Sequence, residues 1–175
     1  MNRPVLAFAA TALLAAGPVA GCSGQAESAD GQPPAAARPV AHPGDTLTLT
    51  RADGSNVVVT LDGVIRPATP TRSGAEPDTG YLATKFTITD PGPSEIEGSV
   101  NINVSVIGSD DQIHAADLKN VEECTNFDSG VFHLAPGESA SGCVVFALPR
   151  GVDPVRVKYV PSAGFADDAG EWTID

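Results

Sequence analysis

The chain has 175 residues, enough for one domain with appendages, and its 22 acidic and 10 basic side chains give a net charge of −12. This charge excludes nucleic acid as an expected partner, because phosphate backbones repel an acidic surface, and it argues against binding to anionic lipid through a basic patch. The 18 Gly, 15 Pro and many Val and Thr favour an all-β domain over a helical bundle.

The first residues have the features of a secretory signal. Arg3 precedes an almost wholly apolar run, Val5–Ala20, which is too short for the ~20 residues that span a bilayer. The segment VAGC, Val19–Cys22, resembles the lipobox of bacterial lipoproteins, in which an aliphatic residue and two small ones precede a cysteine. The resemblance implies that residues 1–21 are a lipoprotein signal peptide, cleaved before Cys22, and that the Cys22 thiol receives a diacylglycerol.

A lipidated Cys22 makes membrane lipid the expected partner of the N-terminus. Two acyl chains, at ~0.8 kcal/mol per buried CH₂, hold a protein stably at a bilayer. We therefore expect an exported protein anchored to the outer face of the cytoplasmic membrane. Residues 22–43 are rich in Ala and Pro, with Val40 as the only large aliphatic side chain, and this composition predicts a disordered tether.

Residues 44–175 are predicted to form an all-β domain, an immunoglobulin-like antiparallel β-sandwich of seven to eight strands. The second strand should place Val57, Val59, Leu61 and Ile65 on one face, since side chains alternate along a strand. Only Asp117–Thr125 suggests a short turn of helix. The predicted strands are Thr46–Thr50, Asn56–Arg66, Tyr81–Thr89, Val100–Ile107, Val131–Leu134, Ser141–Leu148, Val155–Val160 and a short one at Trp172 and Ile174.

Two cysteines, Cys124 and Cys143, remain once Cys22 is lipidated. Two cysteines in an exported domain usually pair. The bond would raise the free energy of unfolding by ~3 kcal/mol, because it closes a loop in the unfolded chain. A reactive thiol and a metal site are the alternatives. The sequence has no C-x-x-C motif, and no His lies within two residues of either cysteine, so a disulfide is favoured.

The stretch LAPGESASGCVVFALPRG, Leu134–Gly151, resembles a telokin-like, immunoglobulin-fold family of unknown function found in actinobacterial lipoproteins. It is also similar to the related secreted mycobacterial immunoprotective antigens. The resemblance implies a two-sheet sandwich without established catalytic residues, and fold alone does not assign a function. Other segments that fit the family are Gly44–Leu49, Asp53–Ala68, Gly80–Pro93, Val155–Tyr159 and Gly170–Trp172.

Two segments bear on an enzymatic function. FDSG, Phe127–Gly130, faintly resembles the nucleophile segment of trypsin-like proteases, with His114 and Asp117 upstream, but those proteases need two barrels and a longer chain. GESAS, Gly137–Ser141, lacks the last glycine of G-x-S-x-G. We therefore expect no catalytic residues and no enzyme, and a secreted hydrolase is the remote alternative.

Metal and cofactor sites are also not expected. His114 and His133 are the only histidines of the domain, and the pairs Asp110–Asp111 and Asp167–Asp168 lack the spacing of an EF-hand loop. Weak Ca²⁺ binding by an acidic turn remains an open alternative. The sequence predicts no bound cofactor and no metal ligands.

The leading functional hypothesis is a non-catalytic interaction domain that meets an envelope or extracellular protein. Tyr81, Tyr159 and Trp172 are the candidate anchors for such a partner, and packing in the core is the alternative role for each. A small-ligand or metal-binding protein is the second hypothesis.

Overall fold

The computed structural model describes residues 40–71 and 76–174. The predicted signal peptide, Cys22 and the linker as far as residue 39 lie outside these residues. In the described part of the chain, no helix is long and apolar enough to cross a membrane.

The described residues form ten strands, several of which show the alternation of apolar and polar side chains that buries one face. Two of them, β4 and β6, were not predicted from the sequence. In chain order the elements are β1 (Thr46–Thr50), β2 (Asn56–Ile65), β3 (Thr79–Thr89), β4 (Ile96–Ser99), a helical turn α1 (Val100–Asn103), β5 (Val104–Gly108), β6 (Ile113–Asp117), β7 (Val131–Leu134), β8 (Ser139–Pro149), β9 (Pro154–Tyr159) and β10 (Gly170–Thr173).

The strands form an immunoglobulin-like antiparallel β-sandwich, which confirms the predicted fold class. Eight strands pair in the order β1-β2-β3-β8-β6-β5-β9-β10, and β4 pairs separately with β7. Strand β6 pairs with β5 through Ile113–Ala115 and with β8 through Ala116 and Asp117. The sheet therefore turns at β6, and its two halves pack against each other.

The core lies between these two halves. Phe86 of β3 meets Tyr159 of β9 and Trp172 of β10, with ring centroids 6.2 and 6.1 Å apart. Burying one large apolar side chain contributes about 1.5–3 kcal/mol, so this aromatic group is a main source of stability. The other large, fully buried side chains are Phe146, Leu49, Val57, Val59, Leu61, Ile88, Val100, Val106 and Val144.

A second apolar cluster covers the outer face of β3 and β8. Tyr81 of β3 and Val145 of β8 pack with Val121 from the segment between β6 and β7. The helical turn predicted at Asp117–Thr125 is wrong. The backbone there bonds to a neighbouring loop instead of to itself, since Glu122 N donates to Thr69 O over 2.9 Å.

Two local predictions fail because the backbone departs from a regular strand. Residues 100–103, predicted as strand, form α1, which buries Val100 and Asn103 but leaves Ile102 exposed. In β2, a bulge between Leu61 and Gly63 shifts the register. Ile65 consequently packs with the second cluster, and not on the face predicted for it.

The folded domain begins earlier than the predicted boundary at Gly44. Ala41 is buried and pairs in parallel with Trp172 of β10. The Trp172 indole Nε1 donates to Asp45 O over 3.0 Å. Residues 41–45 therefore join β10 to β1, the two outer strands of the eight-stranded sheet, and are not part of a disordered linker.

Candidate functional site

Cys124 and Cys143 form a disulfide, with Cα atoms 6.2 Å apart and a sequence separation of 19. This is the pairing expected from the sequence. Cys143 lies on β8 and its backbone N donates to Thr125 O over 2.9 Å, so the bond and the strand hold the same loop. The disulfide thus holds the segment between β6 and β7, which covers the second apolar cluster, against β8.

The three aromatic residues considered as partner anchors are buried. Tyr159 and Trp172 are in the core, and Tyr81 belongs to the second cluster. The Lys119 ammonium lies 5.3 Å from the centre of the Tyr81 ring and contacts Glu76 and Asp117, each over 3.1 Å. Core packing is therefore the main role of these side chains.

The two domain histidines lie on different strands and pair with different carboxylates. His114 Nε2 of β6 lies 3.3 Å from Asp110, and His133 Nδ1 of β7 lies 3.4 Å from Glu97. A hydrogen bond from Gln112 N holds the pKa of Asp110 below its usual value. Within residues 40–71 and 76–174, no group of three or more His, Cys, Asp or Glu side chains could hold a metal ion.

One member of the other acidic pair, Asp168, bonds to the backbone. Asp168 accepts a hydrogen bond from Thr50 N over 2.8 Å, at the outer edge of β1. An edge amide is thereby satisfied by a side chain instead of by another strand.

The segments that suggested a nucleophile have structural roles. Ser129 has a φ of +51°, and its hydroxyl donates to Asp128 over 3.4 Å. In the second segment, the Ser139 and Ser141 hydroxyls bond to Thr89 and Thr87 on the neighbouring strand over 2.7 and 2.8 Å. The described contacts thus link these serines to strands and turns and not to a histidine.

An open cleft of about 660 Å³ lies at one end of the sandwich. Its position is set by the β2–β3 and β8–β9 connections, and Asp153 is held there because its N donates to the Ser109 hydroxyl over 3.1 Å. The cleft has an apolar floor with one basic and one acidic side chain, a mixture typical of small-molecule sites. It is lined by Arg66, Pro67, Gly80, Tyr81, Leu82, Leu148, Val152, Asp153, Pro154 and Ile174.

The sequence gives little indication of this cleft. Arg66 and Asp153 are far apart in the chain, and no motif connects them. A second feature that sequence reasoning missed is Phe165, which is 82% exposed in the loop between β9 and β10. A lone phenylalanine among the small and acidic residues of SAGFADD was its only signal.

No protein-family model matches the chain, and no curated protein matches its sequence significantly. Among solved structures, the secreted protein MPT63 of Mycobacterium tuberculosis is 15% identical with a TM-score of 0.59, covering 80% of this chain and 100% of its own. YjhA of Bacillus subtilis is 14% identical with a TM-score of 0.55, covering 78% of this chain and 100% of its own.

A third solved structure belongs to a larger protein. YcdA of Bacillus subtilis, a proposed lipoprotein, is 13% identical with a TM-score of 0.52, and the match covers 68% of this chain and 36% of YcdA. Identities this low show the fold and nothing finer. The predicted likeness to secreted mycobacterial proteins is thus confirmed at the level of the fold, and this chain is a β-sandwich similar to MPT63, YjhA and part of YcdA.

Proposed function

We propose that this chain is an exported lipoprotein, held at the outer face of the cytoplasmic membrane by lipidated Cys22, and that its β-sandwich is a non-catalytic interaction domain. The observation that carries the proposal is VAGC at Val19–Cys22, directly after an apolar run. The disulfide between Cys124 and Cys143 supports it, because the domain's own bond does not use Cys22.

Two further observations support export. Disulfides persist mainly in oxidising compartments outside the cytoplasm, so a bonded pair fits an extracytoplasmic domain. The chain also shares its fold with MPT63, which is a secreted protein, and with YcdA, a proposed lipoprotein.

The dispersal of reactive side chains favours a binding role over catalysis. General acid–base chemistry needs a base within about 3 Å of its proton donor, in a cleft that also holds the substrate. His114 and His133 each pair with a separate carboxylate, and neither is among the residues that line the 660 Å³ cleft.

The anchor is tested by changing Cys22 to Ala in the full chain, expressed in its own cells. The unaltered chain should incorporate labelled fatty acid and fractionate with membranes, whereas Cys22→Ala should carry no label and leave the membrane fraction. Ser23→Ala, the matched control, should behave as the unaltered chain does. Tight membrane association of Cys22→Ala, without the label, would reject the lipid anchor.

The cleft favours small-ligand binding as a second candidate function. Its volume of about 660 Å³ lies within the ~300–1,000 Å³ usual for small-molecule sites. Native mass spectrometry of protein purified from its own cells should then detect a bound small molecule, and Val152→Trp, which narrows the cleft, should remove it. Protein that carries no added mass, or whose added mass survives in Val152→Trp, argues against this candidate. A stoichiometric metal instead of an organic molecule would support the metal-binding alternative.

A further inference from the structure

Three consecutive residues in the loop between β9 and β10 have a left-handed backbone. The φ angles are +57° at Ser162, +55° at Ala163 and +84° at Gly164. Glycine adopts this conformation readily, but Ser and Ala rarely do so, and two in succession are unusual. Such backbone persists only where its surroundings impose it, and it is concentrated at functional sites.

A buried polar side chain imposes this turn. Asn103, only 5% exposed, accepts a hydrogen bond from Ala163 N at its Oδ1 over 2.8 Å and donates from Nδ2 to the Tyr159 hydroxyl over 3.0 Å. On the other side, the Ser162 hydroxyl accepts a hydrogen bond from Ala52 N over 3.0 Å. The left-handed turn is therefore held both by α1 and by the β1–β2 connection.

The turn presents Phe165 to solvent. Phe165 follows Gly164 directly, and its own N donates to Ser162 O over 3.1 Å, so its backbone is part of the same fixed unit. At 82%, it is the most exposed large apolar side chain in the part of the chain that the structure describes. An aromatic side chain on a rigid loop loses little conformational freedom on binding, which is a property of interface hot spots.

The charges around Phe165 are negative. Asp167 and Asp168 follow it in the chain, and Asp53 lies next to Ala52, the residue bonded to Ser162. Among residues 51–53 and 162–168, the one basic residue, Arg51, has a side chain only 15% exposed, and its Nε lies 3.9 Å from the Asp53 carboxylate. A partner surface of opposite charge is favoured, and an anionic lipid surface is disfavoured, because opposite potentials steer association and like charges oppose it.

We propose that Phe165, displayed by the left-handed turn Ser162–Gly164 and bordered by acidic side chains, is the contact through which this domain binds a protein partner. The partner surface has an apolar pocket that takes one aromatic ring and is bordered by Lys or Arg. This inference rests on the proposed interaction function and assigns it to one end of the sandwich.

The test replaces single residues by the photoreactive amino acid benzoylphenylalanine in the full lipid-anchored chain, in isolated native envelopes. Probe positions are Phe165, Ile113 on β6 and Leu118, the last two being 71% and 78% exposed controls. We expect a discrete protein adduct from position 165, several-fold stronger than from either control. Raising the salt concentration and the change Asp167→Lys should each reduce it several-fold, because both weaken attraction to a basic surface.

The outcomes separate this inference from the proposed function. A discrete adduct at 113 or 118 without one at 165 overturns the assignment to Phe165 and leaves an interaction domain in place. Discrete adducts at none of the three positions count against the interaction function itself. The basic protein partner is rejected if the adduct at position 165 contains lipid instead of protein. It is also rejected if the yield of a protein adduct is unchanged both by salt and by Asp167→Lys. Phe165→Ala should melt as the unaltered chain does, which shows that the left-handed turn does not depend on the ring.

Discussion

The side-chain amide of Asn103 donates to the buried hydroxyl of Tyr159 over 3.0 Å, linking α1 to β9. The Tyr159 ring also packs on Phe86, so one side chain joins a polar contact to the aromatic core. Burial raises the pKa of Tyr159 from 10.0 to about 12, because the charged phenolate is poorly solvated in the core.

The raised pKa of Tyr159 predicts an alkaline loss of stability. The folded state favours the neutral phenol, so this contribution is complete below pH 10 and is lost as pH rises from about 10 to about 12. The loss should reach about 2–3 kcal/mol in the free energy of unfolding. Urea denaturation between pH 8 and 12 measures it, with Tyr159→Phe as the comparison. At neutral pH the variant should be less stable by about 1 kcal/mol, because it lacks the hydrogen bond. Its free energy of unfolding should fall less steeply as the pH rises above 10. Parallel curves for the two proteins would contradict the assignment.

Removing the disulfide should lower the free energy of unfolding by about 3 kcal/mol, because the bond restricts the unfolded chain. The double change Cys124→Ser and Cys143→Ser is compared with Cys22→Ser, which should unfold at the same urea concentration as the unaltered chain. Thiol labelling of unreduced, denatured protein provides a second readout. Label on Cys124 or Cys143 would show that the bond is absent.

Gly142→Ala should destabilise the domain by about 1–3 kcal/mol. A Cβ atom at Gly142 would lie 2.7 Å from both the backbone N and the ring of Phe127, so the loop above β8 would have to move. Gly63→Ala is the matched control, since a Cβ at Gly63 would meet nothing within 4 Å. Equal midpoints for both variants in thermal denaturation would mean that Phe127 does not approach β8 this closely.

Ala163→Gly should stabilise the domain by about 0.5–1 kcal/mol. A left-handed backbone costs an L-residue about 1–2 kcal/mol, and glycine removes this cost. The greater freedom of glycine in the unfolded chain offsets part of the gain in stability. Gly164→Ala, with φ at +84°, should have the opposite sign. Urea unfolding of the two variants tests the turn directly, and a destabilised Ala163→Gly would be inconsistent with a positive φ at this position.

Hydrophobic alternation was sufficient to predict the strands that bury one face. Thr46–Thr50 was predicted with its observed bounds, and β3 and β8 were found within two residues at each end. The unpredicted strand β6 has only five residues and exposes two apolar ones, Ile113 and Ala115. Its pairing therefore depends on β5 and β8 more than on its own sequence pattern. The failure at 100–103 has a similar cause. The polar Asn103 is buried, where its side chain bonds to Tyr159, whereas the apolar Ile102 is largely exposed.

The cysteine pair could be predicted because few pairings were available, whereas the cleft could not. Only the fold brings its charged residues, Arg66 and Asp153, to the same cleft, and neither belongs to a motif. The positions of the aromatic residues could not be predicted for another reason. Composition does not distinguish a ring in the core from one on a loop. Trp172 belongs to the first group and Phe165 to the second.

The junction at residues 41–45 bears on how this domain behaves when it is crowded. If the chain is lipid-anchored as proposed, its copies share a two-dimensional surface, where exposed strand edges meet often. The β1 sequence TLTLT has no charge and no proline, the usual deterrents to edge-to-edge pairing. Instead, the Asp168 carboxylate accepts a hydrogen bond from Thr50 N at this edge, and the backbone carbonyl of Asp45, just before β1, accepts one from the Trp172 indole. Residues 41–45, the first part of the folded domain, thus limit self-association by holding β10 beside β1. Trimming the chain past Asp45 would give a domain that still contains β1–β10 yet tends to aggregate.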